Sequence, residues 1–504
     1  MANPLKQLAG ETAIYGLSTI LARIINFLFV PIYTRVLTTA SYGVVTEFMA
    51  YIAVLQVVLV LGLETGCFRY ANKEGVKPWA VYTDALAATF ATSFGFLALV
   101  AVFATPIAHA LGYDGFENVI IYVGGILALD DTTAILFAKL RQEHKALKFA
   151  VIKTVKILTE TCANLYLFLV FPHHPFSFLY NFVSPTPDFS YVIFAVFVSS
   201  VVCAALFIPD LIRFSFQFDR KLLWKLLGYS MPLMVAALPG IVNDFLDRIL
   251  FRFLDTNPES WQSSLGIFQA AVKLAVIMNL FIQMFRYAAE PFFFQRAKNR
   301  GSKQMYAIVM EFFTAFCGLI FVGIMLYLDL IGLILGHDFR SGLGVVPIML
   351  LSYMLLGMNF NVSMWYKLSE KTNMAIWITL AGLVVTVVIN FCFMPRFSYW
   401  AAAFGHLGSY LVMLSVSTWL GGKYYPIPYS WPRILSFFVV AGLVYLAQIF
   451  VDGSLFFGVK LGSSPAGPVL AQLGIHTLLL LVYCAASARL LRGRYSLALK
   501  ASEE

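Results

Sequence analysis

Charge is what this chain has least of. Only 12% of its 504 residues are Asp, Glu, Lys or Arg, about half the roughly 25% usual in soluble globular domains. With 60% hydrophobic residues and a mean hydropathy of +0.81, it cannot clothe a water-soluble globule in polar side chains. Cysteine is sparse and dispersed. Cys67, Cys162, Cys203, Cys317, Cys392 and Cys484 stand singly in apolar segments, with no CxxC or metal-ligand spacing. A disulfide scaffold and a zinc site are both excluded, and the six are expected as small buried hydrophobes. Histidine is no better placed: His406 has no partner at ligand spacing, and His173-His174 is too short a tract for a metal site. No GxSxG, HExxH or Walker loop occurs, so hydrolase, zinc-peptidase and ATP-driven chemistry lack their usual signatures. Loops are mostly short, which argues against a large extramembrane catalytic domain. The N-terminus lacks a short apolar core with a small-residue cleavage site, so its first apolar stretch is read as a retained helix.

What is present is a succession of long apolar runs. A bilayer core of ~30 Å needs about 20 such residues per helix. That rule places spans at 12–36, 44–66, 80–104, 118–138, 149–171, 191–212, 228–251, 263–288, 305–328, 343–366, 373–394, 399–421, 433–451 and 468–490. The expected fold is an all-α polytopic membrane protein with about 14 transmembrane helices. Basic clusters such as Arg69/Lys73/Lys77, Lys139/Arg141/Lys145/Lys148 and Arg213/Arg220/Lys221/Lys225 fill every second gap. Lys and Arg resist translocation, and a bias of roughly four to one puts these gaps and both termini in the cytoplasm. The net charge of +9 is therefore a mark of topology and not of nucleic-acid binding. The external segment 172–190, rich in proline and aromatic residues, is expected at the headgroup level.

Spans 1–6 and 7–12 repeat a script. Ser41-Tyr42-Gly43-Val44 parallels Ser264-Leu265-Gly266-Ile267, and Phe68-Arg69-Tyr70-Ala71 returns as Phe285-Arg286-Tyr287-Ala288. The expected division is an N-terminal lobe 1–227, a C-terminal lobe 228–432, and 433–504 carrying spans 13 and 14 with a tail. Two halves of six helices share one orientation, a plan that suits a transporter with its cavity between the halves.

Ionisable residues inside spans cost at least ~2.5 kcal/mol at the bilayer centre and need a reason. Arg23 and Lys273 lie near the middle of spans 1 and 8, and a cationic interior suits an anionic substrate, since arginine can fork two N–H bonds onto phosphate oxygens. Each also fits a structural ion pair. Asp244 and Asp247, with Arg248, lie toward the external end of span 7 as candidates for binding Na⁺ or H⁺, or for an internal pair. Thr386 and Asn390 in span 11 offer neutral oxygen ligands. Glu64 with Arg69 and Arg286 with Glu290 sit at the cytoplasmic ends of spans 2 and 8, where a gate or an interface anchor uses such pairs. Asp130-Asp131 with Lys153, Lys156 and Glu160 on adjacent spans are best read as neutralising one another, with a proton relay second.

At this point the chain resembles the polysaccharide-transporter (oligosaccharide-lipid flippase) branch of the MOP exporter superfamily. The likeness rests on an Arg in span 1, Pro31 followed by Tyr33-Thr34-Arg35, Tyr42-Gly43 before span 2, Leu61-Gly62-Leu63-Glu64 near its end, Asp247-Arg248, and the span-8 stretch 265–294. The resemblance implies a MATE-like fold of two six-helix lobes plus two helices. It also implies transport rather than catalysis, of an undecaprenyl-diphosphate-linked oligosaccharide across the bacterial inner membrane, for O-antigen, capsule or exopolysaccharide assembly. It carries substrate binding onto Arg23, Lys273 and Arg286, with Arg69 at the entrance, and ion coupling onto Asp244 and Asp247, while Glu64 and Glu290 remain the gating candidates of the pairs above. No cofactor is implied beyond a coupling Na⁺ or H⁺. The implied partners are the lipid-linked oligosaccharide, membrane lipids and the polymerase and chain-length machinery. A cation-coupled multidrug exporter of the same fold is the alternative, disfavoured by the midplane cations. The 172–190 segment departs from that branch's usual short connection.

Overall fold

A computed structural model describes residues 21, 23–174, 176–212, 218–256, 260–297, 301–455 and 466–494. Among these the regular structure is entirely helical. The principal helices are α1 (Val30–Val36), α2 (Thr39–Leu59), α3 (Pro78–Val102), α4 (Glu117–Gln142), α5 (Ala146–Leu165), α6 (Phe189–Leu206), α7 (Arg220–Leu254), α8 (Trp261–Arg296), α9 (Ser302–Leu326), α10 (Val346–Val362), α11 (Met374–Phe397), α12 (Tyr399–Tyr424), α13 (Trp431–Ser454) and α14 (Ala466–Leu491). Each falls on one of the expected spans.

Eleven helices among the described residues are long and apolar enough to cross a membrane, fewer than the expected fourteen. Much of span 1 lies outside the described residues. In α5, Lys148, Lys153, Lys156 and Glu160 crowd one short helix, and in α12 serines, glycines and His406 dilute the hydropathy. One expectation fails for half of the cysteines. Cys67, Cys203 and Cys317 are buried, but Cys162, Cys392 and Cys484 are exposed, because in lipid an apolar side chain gains nothing by turning inward.

The chain forms two compact units. The first runs through Phe253 and includes the start of α8 up to Gly266; the second comprises Leu254–Thr256 and everything from Ile267 onward. Helix α7, expected to open the second lobe, thus lies with the first unit.

In the first unit, Thr38 opens α2 by accepting the Ser41 N–H at 3.1 Å, filling one of the donors a helix start leaves vacant. The helix breaks at Leu61 and Gly62, both with positive φ (57° and 66°). Glycine is needed at the second, because a Cβ there would stand 2.6 Å from the Ser230 carbonyl oxygen of α7. Beyond the break, the short helix Leu63–Ala71 swings Glu64 toward α4. The two segments paired by the sequence repeat meet at the other end of α2. A Cβ on Gly43 would lie 1.9 Å from the Gln262 carbonyl oxygen, and one on Gly266 would lie 1.9 Å from that of Thr39. Thr39 Oγ1 and Ser263 Oγ hydrogen-bond across the crossing at 3.1 Å. Nearby, the fully buried Glu47 accepts from Tyr51 (2.7 Å), from Tyr113 and from Arg252 Nε (2.8 Å). Burial, then the Glu47 carboxylate, pushes the Tyr113 phenol far above its ordinary range.

The described residues of segment 172–190 fold back on this unit. The Tyr122 and Tyr191 hydroxyls donate to the carbonyls of Phe182 (2.8 Å) and Ser184 (3.1 Å), Asp188 caps α6 by accepting the Ser190 N–H at 2.8 Å, and the Tyr180 ring packs on Phe171. In the second unit, the fully buried Glu311 of α9 is gripped by two arginines. Arg433 of α13 reaches it at 3.1 Å and Arg494, just past α14, at 2.7 and 2.5 Å. These bonds tie the last two helices to the unit.

Candidate functional site: a charged cavity in the first unit

The first unit holds a cavity of about 510 Å³ walled by α2, the Gly62 break, α4 and α5. Helical spacing explains its lining. Asp130, Thr133, Phe137 and Arg141 recur at steps of three or four along α4, as do Phe149, Lys153 and Lys156 along α5, so each helix turns one face inward. Gln56 and Val57 close the wall from α2, and Glu64 and Thr65 enter from beyond the break.

Two ion pairs organise the charges. Arg141 donates to Glu64 at 2.9 Å and stacks over the Phe68 ring at 5.1 Å. Lys156 donates to Asp130 at 2.5 Å, with both side chains less than one-fifth exposed. Lys153 forms no ion pair among the described residues; its ammonium lies 4.8 Å from the centre of the Phe137 ring, a contact that attracts a cation without neutralising it. Asp131, the neighbour of Asp130, turns away from the cavity, is fully buried, and accepts from Ser93 at 2.8 Å. The lining therefore has three cations against two carboxylates. An ammonium in such a lining can hold an anionic oxygen with a charge-assisted hydrogen bond.

Of the residues singled out from sequence, Glu64 is in this cavity, paired with Arg141 and not with Arg69. Arg69 is exposed and lies over the Tyr229 ring of α7 at 4.2 Å. Arg23 is exposed near the start of the described chain. In α7, Asp244 is exposed while Asp247 is fully buried, and Arg248 stacks over Phe245 at 4.5 Å. In the second unit, Lys273 is half-buried. Arg286 approaches Glu290 at 3.6 Å, and Glu290 accepts from Lys367 of the short helix Met364–Leu368 at 2.5 Å. Both carboxylates thus share a plan: Glu64 and Arg141 are 77 residues apart, and so are Glu290 and Lys367. Sequence reasoning overlooked Arg141, Lys153 and Lys156 as site residues. Their recurrence on one helical face was the signal, masked because each could be assigned to a loop cluster or to mutual neutralisation.

The family model described as "Polysaccharide biosynthesis protein" matches residues 8–297. The chain belongs to this family. Among solved structures, this chain is similar to "Lipid II flippase MurJ, inward closed conformation", at 14% identity and a TM-score of 0.68, covering 94% of this chain and 98% of that one. It is also similar to an inward-facing multidrug resistance MATE family transporter of the MOP superfamily (13% identity, TM-score 0.58, 84% and 95% covered), and to a MATE in complex with MaD3S (14%, 0.57, 86% and 97%). At such identities the likeness establishes the fold, which is the expected MATE-like one. No curated protein matches in sequence. The titles of those neighbours name a flippase and transporters, and the many apolar helices of this chain mark a multi-pass membrane protein.

Proposed function

We propose that this protein flips an undecaprenyl-diphosphate-linked oligosaccharide across the inner membrane by alternating access, for O-antigen, capsule or exopolysaccharide assembly. The observation that carries this reading is the cavity in the first unit, where cations outnumber carboxylates between α2, α4 and α5. A diphosphate is the part of such a substrate that most needs counter-charge on leaving water. Lys153 binds a phosphate oxygen directly, while Arg141 and Lys156 stay held by their carboxylates and add field. Arg23 and Arg69 of lobe 1–227, and Lys273 and Arg286 of lobe 228–432, are the further cations proposed to bind the anion. Asp244 and Asp247 bind the coupling Na⁺ or H⁺. Glu64 and Glu290, each salt-bridged within its own unit, brace the cytoplasmic ends that gating moves. Both termini are cytoplasmic, and the flipped units pass to the polymerase and chain-length machinery. Export of organic cations, which the MATE likeness brings forward, calls for a cavity rich in carboxylates, and this one is not.

The test is transport of a fluorescent undecaprenyl-diphosphate oligosaccharide in proteoliposomes, with and without Na⁺ and pH gradients. Wild type should translocate it and Arg23→Ala should not, although the variant inserts normally. An inactive wild type under every gradient, combined with efflux of an organic cation, would replace this reading with the exporter one.

A further inference from the structure

The first unit carries a second pocket, of about 580 Å³, between the turn that leads into α3 and the start of α7. Lys73, Lys77, Lys221 and Lys225 line it, all of them exposed. None forms an ion pair among the described residues; Lys73 lies over the Tyr70 ring at 5.6 Å. The one carboxylate in the lining, Asp219, is already engaged. It accepts the backbone N–H groups of Lys221 (2.9 Å) and Leu222 (3.2 Å), capping α7, and its own N–H donates to Asp84 at 3.0 Å. Glu74, on the same turn, lies outside the lining and forms no ion pair among the described residues. The walls are tied together, since the Tyr70 hydroxyl donates to the Lys225 carbonyl at 3.2 Å. Four lysines thus line one hollow against a single carboxylate, beside the N-terminus of a 35-residue helix whose dipole adds to the positive field.

Position names the anion. Pro78 and Arg220 begin helices of transmembrane length, so the pocket opens where the chain enters the bilayer. Its lining includes Trp79 and Tyr70, the residue types that settle among headgroups. We propose that this pocket binds the phosphate headgroup of an anionic phospholipid in the leaflet that this face meets, as a site separate from the transport cavity. Clustered juxtamembrane lysines attract anionic lipid, and here the walls are preformed. The proposal requires neither the transported substrate nor the orientation to be as given above.

The test uses the full chain purified in detergent, supplied with phosphatidylglycerol or phosphatidylcholine and read by lipid retention in native mass spectrometry. Wild type should retain phosphatidylglycerol in preference. K73Q/K77Q/K221Q/K225Q should weaken retention on the order of tenfold or more, whereas the four Lys→Arg changes should preserve it. Should the glutamine variant fail to fold, K73Q and K221Q taken singly should each show a smaller drop. Equal retention of both lipids by wild type overturns the proposal, as does undiminished retention in the glutamine variants. Displacement of the lipid by an equal concentration of inorganic pyrophosphate also overturns it, by marking a site for soluble anions.

Discussion

Lys153 is the residue on which the transport reading turns. Its neighbours in the cavity are committed, Arg141 to Glu64 and Lys156 to Asp130. It alone of the three can meet an incoming anion without breaking a bond already made. A charge-assisted hydrogen bond is worth about 1.5–3 kcal/mol, so Lys153→Gln should lower the flipping rate by roughly tenfold or more, while Lys153→Arg keeps most of it. Unchanged flipping in the glutamine variant would take the cavity out of the path. Lys156 differs because its partner is poorly solvated: Lys156→Ala leaves Asp130, with a side chain only 17% exposed, without a counter-ion. Removing one member of a buried pair costs about 3–5 kcal/mol, so the thermal midpoint in detergent should fall sharply. D130N/K156Q, which removes both charges, should recover most of it. Two equally destabilised variants would mean that packing, not charge, holds that seam.

The elements repeat a construction that single residues do not reveal. In each half of the sequence repeat a carboxylate, Glu64 just past the break after α2 and Glu290 in α8, is tied to a cation 77 residues on. Near the starts of α3 and α9, a fully buried carboxylate secures a distant stretch of chain: Asp84 holds the N–H that leads into α7, and Glu311 holds Arg433 and Arg494. These are braces within a unit, which is why Glu64 turns from Arg69 to Arg141. The glycine crossing of α2 and α8 is the tightest such element. A methyl on Gly43 meets a backbone oxygen at 1.9 Å, and no rotamer change relieves a backbone clash. Gly43→Ala should therefore force the helices apart at a cost of about 1–3 kcal/mol. Thr39→Cys with Ser263→Cys replaces hydroxyls now 3.1 Å apart, so this pair should crosslink readily under oxidation, and markedly more slowly when Gly43→Ala is added. Equal rates would show that the crossing is looser than its geometry.

At the scale of the molecule, the features legible in the sequence were those set by the bilayer. Span length yielded the helices because lipid imposes it on every segment alike, and the family resemblance yielded the MATE-like fold. The charged cavity was only half legible. Helical spacing aligns Asp130 with Arg141 and Lys153 with Lys156, but which charges pair depends on the break at Leu61-Gly62, a tertiary event without periodicity. Exposure was legible least, since in lipid Asp244 and Asp247 differ in burial for reasons of packing and not of composition. The basic gaps still make one claim about the whole chain. If Lys73, Lys77, Lys221 and Lys225 face the cytoplasm because cations resist translocation, then cysteines placed one at a time at Glu74 and at Lys221 should stay unlabelled by an impermeant maleimide in intact cells and react after lysis. A cysteine at Asn181, in the external segment, should label before lysis. The reverse pattern would invert every span at once, and with it the side from which an anion reaches Lys153.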